Sequence, residues 1–227
     1  FINTEYYKGN LPYINYFLIP CFMKKDIKNI LLIGFGSGKF VNDCEFLYGN
    51  LKAIDVVDLE ENIINIAVKY FDFNISDKFN FILQDGITYL RNNRKKYDLI
   101  VADVANNDGI DIRFLSGDYF ASIKKALKKG GIFVSNMCAS ADFKNPKNLF
   151  FNKYFPVYEK FFEYNTVFKG NYSDKVYYKC FFDLDERVID ITNVIIISSD
   201  SDYEIKKDAE KMQKTAGLGV DIEKYFC

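Results

Sequence analysis

The 227-residue chain contains no histidine, and that absence removes several chemistries together. Ser-His and Cys-His nucleophiles, histidine general bases and histidine-ligated metals all need an imidazole. Any catalysis must run on carboxylates, tyrosine, lysine or cysteine. A cationic excess is missing too: 30 Lys and Arg stand against 31 Asp and Glu, so no basic stripe marks nucleic acid as a partner. The 23 Phe and 17 Tyr then read as core and edge-strand packing rather than a base-stacking platform. No run is long enough to cross a bilayer. The longest doubtful stretch, Tyr13–Met23, is short and holds Asn15 and Pro20, so neither a membrane partner nor an anchor or signal peptide is expected. The five cysteines, Cys21, Cys44, Cys138, Cys180 and Cys227, are scattered and form no CxxC pair. They read as reduced thiols, which points to a cytoplasmic protein.

What is present is an ordinary globular composition, 49% hydrophobic and 27% charged, at a length that suits one α/β domain. Strand-like runs at Ile30–Ile33, Ala53–Val57, Phe79–Leu83, Leu99–Ala102 and Ile132–Ser135 alternate with amphipathic stretches. That alternation predicts a parallel sheet with crossover helices. One helix carries Ile63, Ile64, Ala67, Val68 and Phe71 on a single face. Another, "DYFASIKKALKK", groups Phe120, Ile123 and Leu127 and is expected to stop at Gly130-Gly131. After residue 150, "VYEKFFEYNTVF", "KVYYKCFFDL" and "NVIIISS" read as antiparallel strands with little helix between them. Their aromatic surface is a candidate homodimer interface on composition alone. "SDYEIKKDAEKMQK" predicts a final helix with a Ser201–Glu204 capping box. Residues 1–28 form a short N-terminal extension, and 29–227 a single ligand-binding domain.

Chemistry is concentrated at the strand ends. "NILLIGFGSGKF", Asn29–Phe40, places Gly34, Gly36 and Gly38 at alternate positions around Ser37, which gives a ligand room to approach the backbone. The next strand ends at Asp58-Leu59, where a carboxylate can accept from both ribose hydroxyls. The third dinucleotide glycine is replaced by Lys39, so the pattern favours a nucleoside without pyrophosphate, of the S-adenosyl type. Asp85-Gly86 follows the third strand, in reach of an adenine amino group, and Asp103 follows the fourth. Each Asp alone has an alternative use as a helix or turn cap. In series they outline one ligand edge of a doubly wound sheet.

These residues resemble the S-adenosylmethionine-dependent methyltransferase superfamily, and more closely its spermidine synthase (polyamine aminopropyltransferase) branch. "LLIGFGSGKF" is similar to the branch's strand leading into GGGDGG. "VVDLEENIINIAVKYF" resembles its acid, apolar, acid and helix segment, and "FILQDGITYLRNNRKKYDLIVAD" its GDG to YDVIIxD run. The resemblance implies a Rossmann-like class I methyltransferase fold, a mostly parallel seven-stranded α/β sheet with antiparallel C-terminal strands. It implies transfer of an aminopropyl group from decarboxylated S-adenosylmethionine to a diamine such as putrescine, with no metal. Gly34, Gly36, Ser37, Gly38, Asp58, Leu59, Asp85 and Gly86 would bind the donor, Asp58 at the ribose and Asp85 at the adenine. Asp103 takes the place of the first catalytic Asp of the DSTDP loop, where it would orient the amine and accept its proton.

Departures accompany the matches. Ser37 stands at the Asp of GGGDGG and Asn106 at the second Asp of DSTDP. Asp108, Asp111 and Glu5 are candidate replacement anions, and Tyr6, Tyr7 and Tyr13 occupy the region of the branch's histidine-bearing segment. Two alternatives stay open: a methyltransferase using S-adenosylmethionine, with Lys39 facing the donor carboxylate, and a nucleoside-binding relative without catalysis.

Overall fold

In the first strand, β1 (Asn29–Ile33), side chains alternate between two cores. Ile30 and Leu32 enter one hydrophobic cluster, Leu31 and Ile33 the other. A strand buried on both faces reads as a continuous apolar run, and truncating Leu31 to Ala would cost about 2–5 kcal/mol. The computed structural model describes residues 13–104, 111–140, 142–177 and 188–203, with backbone alone for 170–177 and 188–191. Glu5, Tyr6, Tyr7, Asn106, Asp108, Cys180, Cys227 and the final helix beyond residue 203 lie outside the described residues.

β1 is flanked by β2 (Ala53–Asp58), β3 (Phe79–Leu83), β4 (Tyr97–Ala102), β5 (Leu127–Ser140), β6 (Tyr164–Tyr177) and β7 (Val188–Ser199) in one sheet. The order is β3-β2-β1-β4-β5-β7-β6. Strands β1 to β5 pair in parallel, and β7 is antiparallel to both its neighbours. The order reverses at β1 and β4, a switch point where open α/β sheets place their ligands.

One face carries α1 (Ile14–Phe17), α2 (Pro20–Met23), α3 (Lys39–Leu47) and α4 (Ile63–Tyr70). The other carries α5 (Gly86–Asn92), α6 (Gly117–Ala126) and α7 (Phe155–Phe161). Tyr16, Phe17, Leu18 and Ile19 are buried, and the Phe17 ring meets Phe40 of α3 edge-on at 5.9 Å. The first described turns are thereby set into the core beside the glycine loop. Among the described residues no helix is long and apolar enough to cross a membrane.

Two expectations about local structure change. The helix expected to run to Gly130 ends at Ala126, and Leu127 already pairs with Tyr97 on β4. The Gly-Gly pair marks a bulge instead: pairing jumps from Leu127 to Ile132 while β4 advances from Tyr97 to Leu99, and Gly130 takes φ +64°. Second, "VYEKF", Val157–Phe161, is helical rather than extended. Pro156 sits in the first turn of α7, a position it favours, and Tyr158 anchors the helix by packing its ring 4.7 Å from Phe120. The Tyr158 hydroxyl pairs with Ser135 of β5 at 2.7 Å. Tertiary burial of that one face outweighs the β preference of its aromatic residues.

Candidate functional site

The parallel ladder continues one residue past the strand ends. Gly34 N–H donates to Val57 at 2.9 Å, Asp103 N–H to Ile33 at 2.9 Å and Gln84 N–H to Asp58 at 3.0 Å. That register sets Gly34, Asp58 and Asp103 side by side along the carboxyl edge. At Gly34, with φ +89°, a Cβ would lie 2.2 Å from the carbonyl oxygen of Asp103. Only glycine lets the two strand ends approach this closely.

Phe35 anchors the loop between the first two glycines. Its ring is buried and meets Phe73 edge-on at 4.9 Å, while its N–H donates to Asp58 Oδ2 at 2.7 Å. Asp58 Oδ1 accepts from Glu60 N–H at 2.9 Å. The carboxylate is thus oriented by backbone, and each oxygen keeps a further lone pair for a ligand hydroxyl. Asp85 does cap a helix, as the simpler reading of that residue holds: Oδ1 accepts from the N–H and the hydroxyl of Thr88, each at 2.9 Å. Its Oδ2 faces the Arg113 guanidinium at 3.5 Å. Arg113 also forks onto Asp111 at 2.6 to 3.1 Å, which holds the Asp111 carboxyl below its ordinary value.

Asp103 is partly buried, as are Asp58 and Asp85. Asn136 of β5 donates its amide to Oδ1 at 2.8 Å, and the Tyr13 hydroxyl donates to Oδ2 at 3.4 Å. Burial pushes the carboxyl above its ordinary value, opposed by those two hydrogen bonds.

A cavity of about 520 Å³ spans the edge, lined by Gly34, Gly36, Asp58, Leu59, Asp85, Gly86 and Asp103 among the predicted residues. A second, of about 350 Å³, shares Tyr13, Gly34, Gly36, Ile63 and Asp103 with it and adds Ser37 and Lys39. Gly38 lines neither; it is the N-cap of α3 with φ +78°, where a Cβ would meet the Phe73 ring at 2.6 Å. Lys39 forms an ion pair with Asp43 at 2.8 Å. Seven of the nine predicted residues therefore border one cavity, with Ser37 on its neighbour. Sequence reasoning missed Asn136, Arg113 and the anchoring of Phe35. Arg113 lies in a short helical turn well beyond the end of β4, and Asn136 is one residue beyond the run assigned to its strand, so neither carries a local signal.

The sheet order and the row of strand-end groups define a Rossmann-like fold of the class I methyltransferase type. At the level of fold, human methyltransferase-like protein 13, solved with SAH, superimposes over 89% of both chains with TM-score 0.65 and 17% identity. A probable spermidine synthase from Corynebacterium glutamicum does so over 93% of this chain and 73% of its own, with TM-score 0.67 and 16% identity. The spermine/spermidine synthase domain model matches residues 17–166, and the chain belongs to that family. The polyamine aminopropyltransferase of Clostridium botulinum (strain Eklund 17B / Type B) is 27% identical over 121 residues, 52% of this chain and 42% of the relative. The match thus spans less than half the length of that relative.

Proposed function

We propose that the chain is an alkyl-group transferase that moves an aminopropyl group from decarboxylated S-adenosylmethionine to an amine. The observation that carries this reading is the placement of Asp103 on the wall shared by the two cavities. In this reading the nucleoside fills the larger cavity, with its ribose hydroxyls on Asp58 and its adenine near Asp85 and Gly86. The sulfonium lies over Gly34 and Gly36, beside Asp103.

The reaction needs an uncharged amine next to the sulfonium-bearing carbon. The nitrogen lone pair forms the C–N bond as the C–S bond breaks, the bonding pair going to sulfur and methylthioadenosine leaving. The proton shed by nitrogen passes to Asp103, whose raised pKa makes it a better acceptor than an ordinary carboxylate. Sulfonium is already a good leaving group, so holding the reactants in line supplies much of the remaining acceleration.

Methyl transfer from S-adenosylmethionine is the competing reading. It needs a cation for the methionine carboxylate, and the candidate Lys39 is already paired with Asp43. A mass-spectrometric product assay with each donor and mixed amines separates the two. Methylthioadenosine with an enlarged amine is the expected result; S-adenosylhomocysteine with a methylated amine would replace this proposal with the methyltransferase one.

A further inference from the structure

The larger cavity is lined by a turn that does not belong to the strand-end row. Asp111, Arg113 and Phe114 border it together with Asp85 and Gly86. They come from the short 3-10 turn Ile112–Leu115 and its cap, Asp111, whose Oδ1 accepts from the Arg113 N–H at 2.9 Å. The Phe114 ring packs edge-on against Tyr119 at 5.1 Å, which seats the turn on α6. The same ring comes within 3.8 Å of the place a Cβ on Gly86 would take. Anchored in this way, the turn holds the Arg113 guanidinium 3.5 Å from Asp85 Oδ2.

Hydrogen-bonding capacity decides what a base can meet there. Thr88 donates twice to Asp85 Oδ1, which fills both lone pairs of that oxygen and leaves Oδ2 as the acceptor. Arg113 has more donors than it uses: among the described residues its guanidinium donates only to Asp111, through Nε and Nη2, so both Nη1 hydrogens stay available. Gly86 is the first residue of α5, and its N–H has no acceptor within the helix. One acceptor, Oδ2, thus has a donor beside it in its own helix and another from the turn. A 6-aminopurine carries the complement, an amino group flanked by the acceptors N1 and N7. We infer that Arg113 is a base-reading residue, its guanidinium donating to purine N7 while Asp85 Oδ2 takes the amino group and the backbone side faces N1. The inference rests on the reading of the larger cavity as a nucleoside site. A side-chain pair that matches the amino group and N7 together fixes the orientation of the base as well as its identity, as bidentate contacts to that edge do in nucleic-acid recognition.

The test is calorimetric binding of methylthioadenosine and its 7-deaza and 1-deaza analogues to the 227-residue chain and to Arg113→Met. The Arg113 side chain is 59% exposed, so the variant leaves the core intact. In the parent, the 7-deaza analogue is expected to bind at least about tenfold more weakly than methylthioadenosine, from the loss of a hydrogen bond to a charged donor. In Arg113→Met that penalty is expected to shrink to about twofold or less, because the partner of N7 is already gone. The 1-deaza penalty is expected to be the same in both proteins. Each penalty is a ratio within one protein, so a general change in affinity cancels. Equal binding of methylthioadenosine and its 7-deaza analogue by the parent, or a 7-deaza penalty that survives in Arg113→Met, would overturn the inference and leave the nucleoside site standing. A 1-deaza penalty that disappears in the variant would turn the base over and overturn it too. No binding of methylthioadenosine to the parent would sink the nucleoside reading itself, and this inference with it.

Discussion

The Asn136 side-chain amide donates to Asp103 Oδ1 at 2.8 Å, tying the end of one strand to the middle of the next. With Tyr13 on the other oxygen at 3.4 Å, the carboxylate is held from two elements distant in the chain. A group held on both oxygens is pre-oriented, which is what a proton acceptor beside a reacting carbon requires.

Replacing that carboxylate by its isosteric amide isolates its chemical role. Asp103→Asn is expected to bind methylthioadenosine as the parent does while kcat falls by about 10²–10⁴-fold. Calorimetry and single-turnover product assays check the two halves. Parent-like turnover would remove Asp103 as the proton acceptor.

The hydroxyl of Tyr13 acts on the same group through its pKa. Burial raises the Asp103 carboxyl, and the bonds from Asn136 and Tyr13 pull it down. In the proposed reaction the acceptor works deprotonated, so the rate is expected to fall as pH drops through this raised pKa, above the ordinary carboxylate value of about 3.9. Tyr13→Phe removes one lowering bond. The acid limb of the kcat profile is expected to move to higher pH, with little change on the alkaline plateau; a limb that does not move would uncouple Tyr13 from Asp103.

Asp58 orients the glycine loop through the Phe35 N–H, and in the proposed reading it also holds the ribose. Asp58→Ala is expected to weaken methylthioadenosine binding by at least about tenfold, the loss of one charge-assisted hydrogen bond of ~1.5–3 kcal/mol. It also frees the Phe35 N–H now bound at 2.7 Å, so faster hydrogen exchange at that amide should accompany the loss. Unchanged nucleoside affinity would show that the ribose lies elsewhere.

Stability at low pH depends on a different aspartate, at the opposite end of the sheet. Burial by itself would raise the Asp98 carboxyl, but Lys128 at 2.8 Å and the N–H groups of Asn29 and Lys28, each at 3.0 Å, outweigh it and leave the group below its ordinary value. A folded-state pKa below the unfolded one contributes stability above the unfolded value, and that contribution is lost as pH falls through the folded one. Asp98→Asn is expected to be less stable than the parent in urea at neutral pH, with the gap closing below about pH 4. A gap independent of pH would assign the loss to packing rather than to charge.

Much of this architecture was legible locally. All five parallel strands overlap the predicted apolar runs; in β1 this is because burial on both faces calls for a nearly continuous apolar run, whereas β3, at the sheet edge, leaves Asn80 and Leu83 exposed. The glycines announced a close approach, and at Gly34 the partner turns out to be the Asp103 backbone. Two misreadings share one cause. At Leu127 and at Phe155–Phe161 the local pattern suited either element, and the choice was made by what each segment packs against.

The sequence by itself determined the fold class, the family and the row of strand-end groups, since each is written in residues a few positions apart. Tertiary structure alone decided which groups surround Asp103 and what lies beyond it. Tyr13 is 90 residues from Asp103 and Asn136 is 33; Arg113 reaches back to Asp85 across a helix, a strand and a loop. Those meetings depend on strand order, register and the seating of the first turns against the glycine loop. Such relations are set by burying two faces of one sheet at once, and no short window of sequence contains them.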